Sequence, residues 1–172
     1  CHDAAFLLDG GQVRARRARH EPGQPGLAED VTLFATGPAP GPMVFRGLRL
    51  GVMVGADSAG PAVAETLSES GAELLLALEA EPFRPGEAER RIDRGVARVV
   101  ETGLPLLSVN LAGAQDGIAF DGASFVLNAD HRLALRLPAL AETLRVSEWR
   151  RGDAGWEAVP QPLPERPGEP EL

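Results

Sequence analysis

At 172 residues and 18.1 kDa, with 44% apolar residues, the chain is long enough to bury a hydrophobic core and lies in the globular range of composition. Its formal net charge of -8, with 17 basic residues dispersed among 25 acidic ones, argues against a nucleic-acid partner, which needs clustered cations to neutralise phosphates. No apolar run approaches the length of a bilayer span, and the single cysteine, Cys1, cannot form an internal disulfide, so a cytoplasmic protein in a reducing compartment is expected.

The first signal along the chain is a hairpin. Residues 4–8 and 13–17 flank Asp9-Gly10-Gly11, whose glycines suit a turn at positive φ. Residues 21–41 are rich in Pro and Gly with one short apolar run at 31–34, the pattern of a long surface loop. Residues 48–54 read as a buried strand. The Gly-rich link at 55–60 then leads to a helix starting at Pro61 and ending at Gly71, and residues 73–78 return as another strand, giving a β-α-β unit. A second helix is predicted over 87–102, with Ile92, Val96, Val99 and Val100 as its apolar stripe and its charges on a solvated face, closed by Gly103. Residues 104–109 form the next strand. Residues 118–127 and 132–137 read as a hairpin across Asn128-Ala129-Asp130-His131. Helices against stacked sheets follow, an α/β (α+β) fold. From Gly152 onward, prolines alternate with acids, so residues 1–150 are expected to form the domain and 151–172 a linker or tail. The missing initiator Met points to a fragment or a processed chain.

Polar residues concentrate between apolar runs at residues 108–127, reading SVNLAGAQDGIAFDGASFVL. Asn110, Gln115, Asp116 and Asp121 need hydrogen-bond partners if buried, which makes them candidates for a channel or an interface; a tight-turn role for Gln115, Asp116 and Asp121 is the plain alternative. The segment resembles the VN-x-x-G-x-QD-x-x-x-FDG-x-S stretch in the glutaminase half of glutamine-dependent NAD synthetases, a branch of the nitrilase (carbon–nitrogen hydrolase) superfamily. Asp9-Gly10-Gly11, the span 17–37, Gly51-Val52, residues 71–76, Pro82-Phe83 and residues 101–105 fall in the same order and spacing. The resemblance covers residues 4–149 and implies the later two thirds of a nitrilase-like α-β-β-α sandwich, with the loop at 21–41 as a lid.

The resemblance also implies a Glu, Lys and Cys triad that hydrolyses the side-chain amide of glutamine and passes ammonia to a synthetase domain. All 17 basic residues here are arginines, and the motif strand-C-E-D appears as Val54-Gly55-Ala56-Asp57. Gly55 therefore stands at the nucleophile position, where a thiolate would be needed, and Asp57 is a poor substitute for one. Arg19 stands at the lysine position; a planar guanidinium does not replace an ammonium point charge. Pro25 replaces the aromatic residue and Ala56 the glutamate after the nucleophile. Glu79 and Glu81 replace the Asn and Ser before Pro-Phe and would repel the carboxylate of a bound amino acid unless a cation compensates them. The triad's glutamate would lie before Cys1.

The expectation is a degenerate glutaminase-type domain with a scaffolding, oligomerisation or ammonia-channel role. ATP and Mg are implied only for a fused synthetase domain, whose Gly-rich pyrophosphate loop does not occur in this chain. A homo-oligomer is implied by the resemblance. Two alternatives stand beside it: a free-standing interaction module of nitrilase fold, and an amidase using Cys1 as an N-terminal nucleophile. His2, His20 and His131 have no metal-ligand spacing.

Overall fold

In the computed structural model, which describes residues 1–23 and 33–163, Gly10 and Gly11 take φ of 59° and 73° and reverse the chain between β1 (Ala4–Asp9) and β2 (Gln12–Ala18). Only residues without a Cβ penalty take two successive left-handed steps cheaply, so the Asp9-Gly10-Gly11 signal and the observed hairpin have one cause. A second hairpin, absent from the sequence-based expectation, joins β3 (Met43–Phe45) to β4 (Leu48–Val54) through Arg46 and Gly47 at φ 49° and 84°.

β4 leads through a 3-10 turn at Gly55–Ser58 into helix α1 (Pro61–Glu69), with proline at the first turn, where its missing N–H costs nothing. β5 (Leu74–Glu79) returns parallel to β4, helix α2 (Glu87–Thr102) follows, and β6 (Leu106–Asn110) lies parallel to β5. After a separate hairpin of β7 (Ala112–Gln115) and β8 (Ile118–Asp121), β9 (Phe125–Leu127) and β10 (Leu133–Arg136) add antiparallel strands. The result is a six-stranded mixed sheet of order β10-β9-β6-β5-β4-β3.

Alternation along β4 sets the layers. Met53 points to the helix side, where Val63, Leu67, Leu75, Val99, Leu106 and Leu127 form the main core. Leu50, Val52 and Val54 point to the other face and pack under Ala5, Leu7 and Ala15 of the β1–β2 hairpin. Helices thus cover one face of the large sheet and a hairpin lies on the other, a mixed α/β arrangement. Helix α2 approaches the sheet closely at Gly95, where a Cβ would sit 2.9 Å from a ring carbon of Phe125. No helix among the described residues is long and apolar enough to cross a membrane.

Three expectations need correction. The strand predicted over 118–127 is two strands: β8 pairs with β7, and the chain breaks at Gly122 and Ala123, at φ 65° and 48°, before β9. The charges of α2 are not confined to a solvated face. Arg91 and Arg98 are buried with Gly95 and Val99, whereas Val100 is 58% exposed. The domain also continues past residue 150, because β11 (Trp149–Gly152) and β12 (Gly155–Ala158) form a hairpin that closes a third apolar cluster with Val126, Ala134 and Leu135. Asn128 holds it there. Its side-chain amide donates to the Ala158 carbonyl at 2.9 Å and its side-chain oxygen accepts the Ala158 N–H at 2.8 Å. The prolines at 164, 167 and 170 lie outside the described residues.

On α2, Arg94 reaches both Glu81 and Glu87, the latter at 2.9 Å. Burial pushes the Glu87 carboxyl up, but the Arg94 hydrogen bond and charge, with Arg90, outweigh it and leave its pKa below the ordinary value. A carboxyl depressed in the folded state contributes stability above its unfolded pKa, and that contribution is lost as pH falls through the folded pKa. Arg94→Gln is therefore expected to move the Glu87 titration upward in a carboxyl-carbon NMR pH series. An unmoved titration would show that Arg94 does not hold Glu87.

Candidate functional site

The turn after β4 is organised by Asp57, which is fully buried. Its Oδ1 accepts the backbone N–H groups of His20 at 2.9 Å and Glu21 at 2.8 Å. Its Oδ2 accepts the Val54 N–H at 3.1 Å and a guanidinium nitrogen of Arg17 at 2.8 Å. Arg17 also donates through Nε to the Val52 carbonyl and through Nη1 to that of Ala18 at 2.8 Å. Burial pulls the Arg17 pKa down and the Asp57 charge opposes that shift. One carboxylate thereby fastens the end of β2, the following loop and the end of β4 to each other.

This clamp sets Gly55 beside Arg19. Gly55 is at φ 53°, a conformation that favours glycine, and its Cα faces Asp3 and Arg19: a Cβ there would lie 3.6 Å from Asp3 Oδ2 and 3.8 Å from Arg19 Cδ, ordinary contact distances. Arg19 is 5% exposed, its Nη1 lies 3.7 Å from Asp3 Oδ2, and its guanidinium sits over the Phe34 ring at 5.8 Å from the centroid. The Arg19 N–H donates to the Asp3 carbonyl at 2.8 Å, and the Gly37 N–H donates to the Arg19 carbonyl at 2.6 Å.

Gly55 and Arg19 open onto a cavity of about 1150 Å³ on the sheet face away from the helices. Leu78, Val109, Leu111 and Phe120 give it apolar walls, and Glu79, Glu81 and Asn110 form part of its lining. These polar groups are held from within the protein. Ser58 and Ser108 donate their hydroxyls to the two oxygens of Glu79 at 2.6 and 2.7 Å. Asn110 Oδ1 accepts the Glu81 N–H at 2.8 Å, and its amide nitrogen donates to Asp121 Oδ1 at 3.0 Å. Asp121 in turn pairs with Arg91 at 2.8 Å.

No family model matches the chain. It is 40% identical over 168 residues to a glutamine-dependent NAD(+) synthetase of Rhodobacter capsulatus, across 98% of this chain and 30% of the relative. A synthetase of the same description from Acinetobacter baylyi is 25% identical over 148 residues, across 86% of this chain and 27% of the relative. The structure of glutamine-dependent NAD+ synthetase from Acinetobacter baumannii, solved with ADP, superposes with a TM-score of 0.85 at 25% identity over 95% of this chain and 31% of that one. The chain matches the nitrilase-like glutaminase portion of these synthetases. It spans about 30% of their length. A carbon-nitrogen hydrolase from Helicobacter pylori G27, with a TM-score of 0.73 at 21% identity over 80% of this chain and 52% of that one, shares the fold.

Within this glutaminase-type framework, the positions singled out in the sequence fall into three groups. Arg19, Gly55, Ala56, Glu79, Glu81, Asn110 and Gln115 all line the one cavity. Asp116 does not: it is an exposed residue at φ 51° in the β7–β8 turn. Asp121, a candidate for a channel or an interface, is instead the 1% exposed counter-ion of Arg91. Pro25 and the first half of the run at 31–34 lie outside the described residues, while Leu33 and Phe34 belong to the cavity wall. Sequence reasoning missed Asp3, Arg17 and Arg91, whose partners are distant in the chain. It considered Asp57 only as a nucleophile; the buried position and four donors of that carboxylate make it a clamp. Among the described residues, no group of three His, Cys, Asp or Glu side chains is placed to hold a metal.

Proposed function

We propose that this is a glutaminase-type domain that does not itself hydrolyse glutamine and that serves an NAD-synthetase-type protein as scaffold. The observation that carries this reading is the bare Gly55. It sits at the tip of β4, facing the cavity beside Arg19, where amide hydrolysis by covalent catalysis would need a nucleophilic side chain. The electrostatics support it. The Arg19 guanidinium is engaged with Asp3 and Phe34, Glu81 with Arg94, and Glu79 with Ser58 and Ser108, so these polar groups of the cavity lining are committed to protein partners and are not built to receive an amino-acid carboxylate.

In this reading a synthetase portion uses ammonia directly, ATP and Mg belong to that portion, and the domain contributes interdomain or subunit contacts. Purified chain incubated with glutamine is expected to release no more ammonia than a heat-killed control. Release above that control overturns the proposal. In the polypeptide that carries the synthetase portion, NAD formation is expected from ammonium and not from glutamine.

A further inference from the structure

Beneath Glu79, between α2 and strands β5 and β6, lies a second and much smaller cavity of about 10 Å³, about the volume of one water-sized sphere. Ser58, Glu79, Arg91, Arg94, Arg98 and Ser108 supply its polar lining. Arg91 is 2% exposed, and its Nη2 donates to Asp121 and to the Gly122 carbonyl, but its Nε and Nη1 are buried and meet no hydrogen-bond acceptor of the protein. Buried donors of a charged group without an acceptor are costly, and Arg91 lines this cavity, so an acceptor placed there can meet one of these two donors, which lie on different edges of the guanidinium.

The demand is specific. What enters must accept a hydrogen bond, must be the size of a water molecule, and need not carry charge, because each guanidinium already faces a carboxylate: Arg91 faces Asp121 at 2.8 Å, Arg94 faces Glu87 at 2.9 Å and Arg98 faces Glu101 at 2.7 Å. An anion would add to the charge of Glu79 in the same lining, and a cation would face three guanidinia. We propose that the cavity is a hydration site: one water accepts a hydrogen bond from Arg91 and donates to Glu79 or Ser108. Buried waters of this kind make about three hydrogen bonds and belong to the structure. The consequence reaches the large cavity, because Glu79 lines both. With the two serine hydroxyls and this water as partners, the Glu79 carboxylate is held from below, on the helix side of the sheet. Its charge is thereby part of the scaffold and not a free ligand group.

A crystal structure of the chain at a resolution that shows ordered solvent, with a parallel bromide soak, tests this directly. The expected result is one solvent peak within hydrogen-bond distance of Arg91 and of Glu79 or Ser108, with no anomalous bromide signal. An empty cavity, a bromide signal at that point, or Arg91 turned so that protein groups accept from Nε and Nη1 would each overturn it. In solution, a guanidinium proton of Arg91, at Nε or Nη1, is expected to show a cross-relaxation peak to a long-lived water. That peak should vanish in Ser108→Val, which fills the cavity with methyl groups, while the backbone amide spectrum stays folded. Persistence of the peak in that folded variant also overturns the proposal.

Discussion

Replacing Asp57 by alanine is expected to lower the unfolding free energy by about 3–5 kcal/mol, the range for removing one partner of a buried ion pair. The size follows from what is stranded. Asp57 is fully buried and accepts from three backbone N–H groups as well as Arg17, so its loss leaves a buried guanidinium without its counter-ion and three amides without an acceptor. The Asp57→Asn substitution would keep one carbonyl oxygen but would aim an amide donor at other donors, so it should lie close to the alanine variant. Chemical denaturation followed by circular dichroism measures both. A loss below about 0.5 kcal/mol, the range of an ordinary surface substitution, would contradict the clamp.

A double substitution separates the two roles of this carboxylate. If Asp57 acted only as counter-ion to Arg17, then Asp57→Leu combined with Arg17→Met would approach the parent, as apolar replacement of a whole buried pair often does. The geometry predicts otherwise. The amides of His20, Glu21 and Val54 remain unmet in the double variant, each costing about 1–3 kcal/mol if it stays buried, so the double variant should recover only part of the loss. Hydrogen exchange at these three amides should rise together in every Asp57 variant.

The clamp also shows where sequence reading stops. The hairpin at Asp9-Gly10-Gly11, strand β4, the β-α-β unit and the limits of α2 were legible because each is written in local chemistry: positive-φ glycines, apolar runs, proline at a first turn, Gly103 at a helix end. The cavity was legible only through the resemblance, which aligned Arg19, Gly55, Glu79 and Glu81 although they are far apart in the chain. Partnerships between distant residues were not legible. Nothing near Asp57 announces Arg17, forty residues away, as its partner, and the hydrophobic periodicity of α2 assigns every arginine to solvent. One local signal was available there: Arg91, Gly95 and Arg98 repeat at helical spacing in line with Val99, which places two arginines on the face that packs. The break at Ala123 was invisible for another reason, since alanine rarely takes a positive φ and only the surrounding structure imposes it.

Asp121→Ala is the second substitution with a large expected effect, also about 3–5 kcal/mol, and its consequences should differ in kind. Asp121 Oδ1 accepts from both Arg91 and Asn110, so its removal strands a guanidinium on the helix side and an amide beside the large cavity. Asn110 also accepts the Glu81 N–H, so the disturbance should travel along the cavity wall to Glu81 and on to its partner Arg94. Asp57 variants should loosen the segment at His20 and Glu21 that follows β2, whereas Asp121→Ala should loosen the cavity wall at Asn110 and Glu81. Amide exchange therefore distinguishes them: the Glu81 amide should lose protection in Asp121→Ala while those of His20 and Glu21 keep theirs, and the reverse pattern is expected for Asp57→Ala. If both variants exposed both sets of amides equally, the two walls would be one cooperative unit and the separate roles assigned to the two carboxylates would fail.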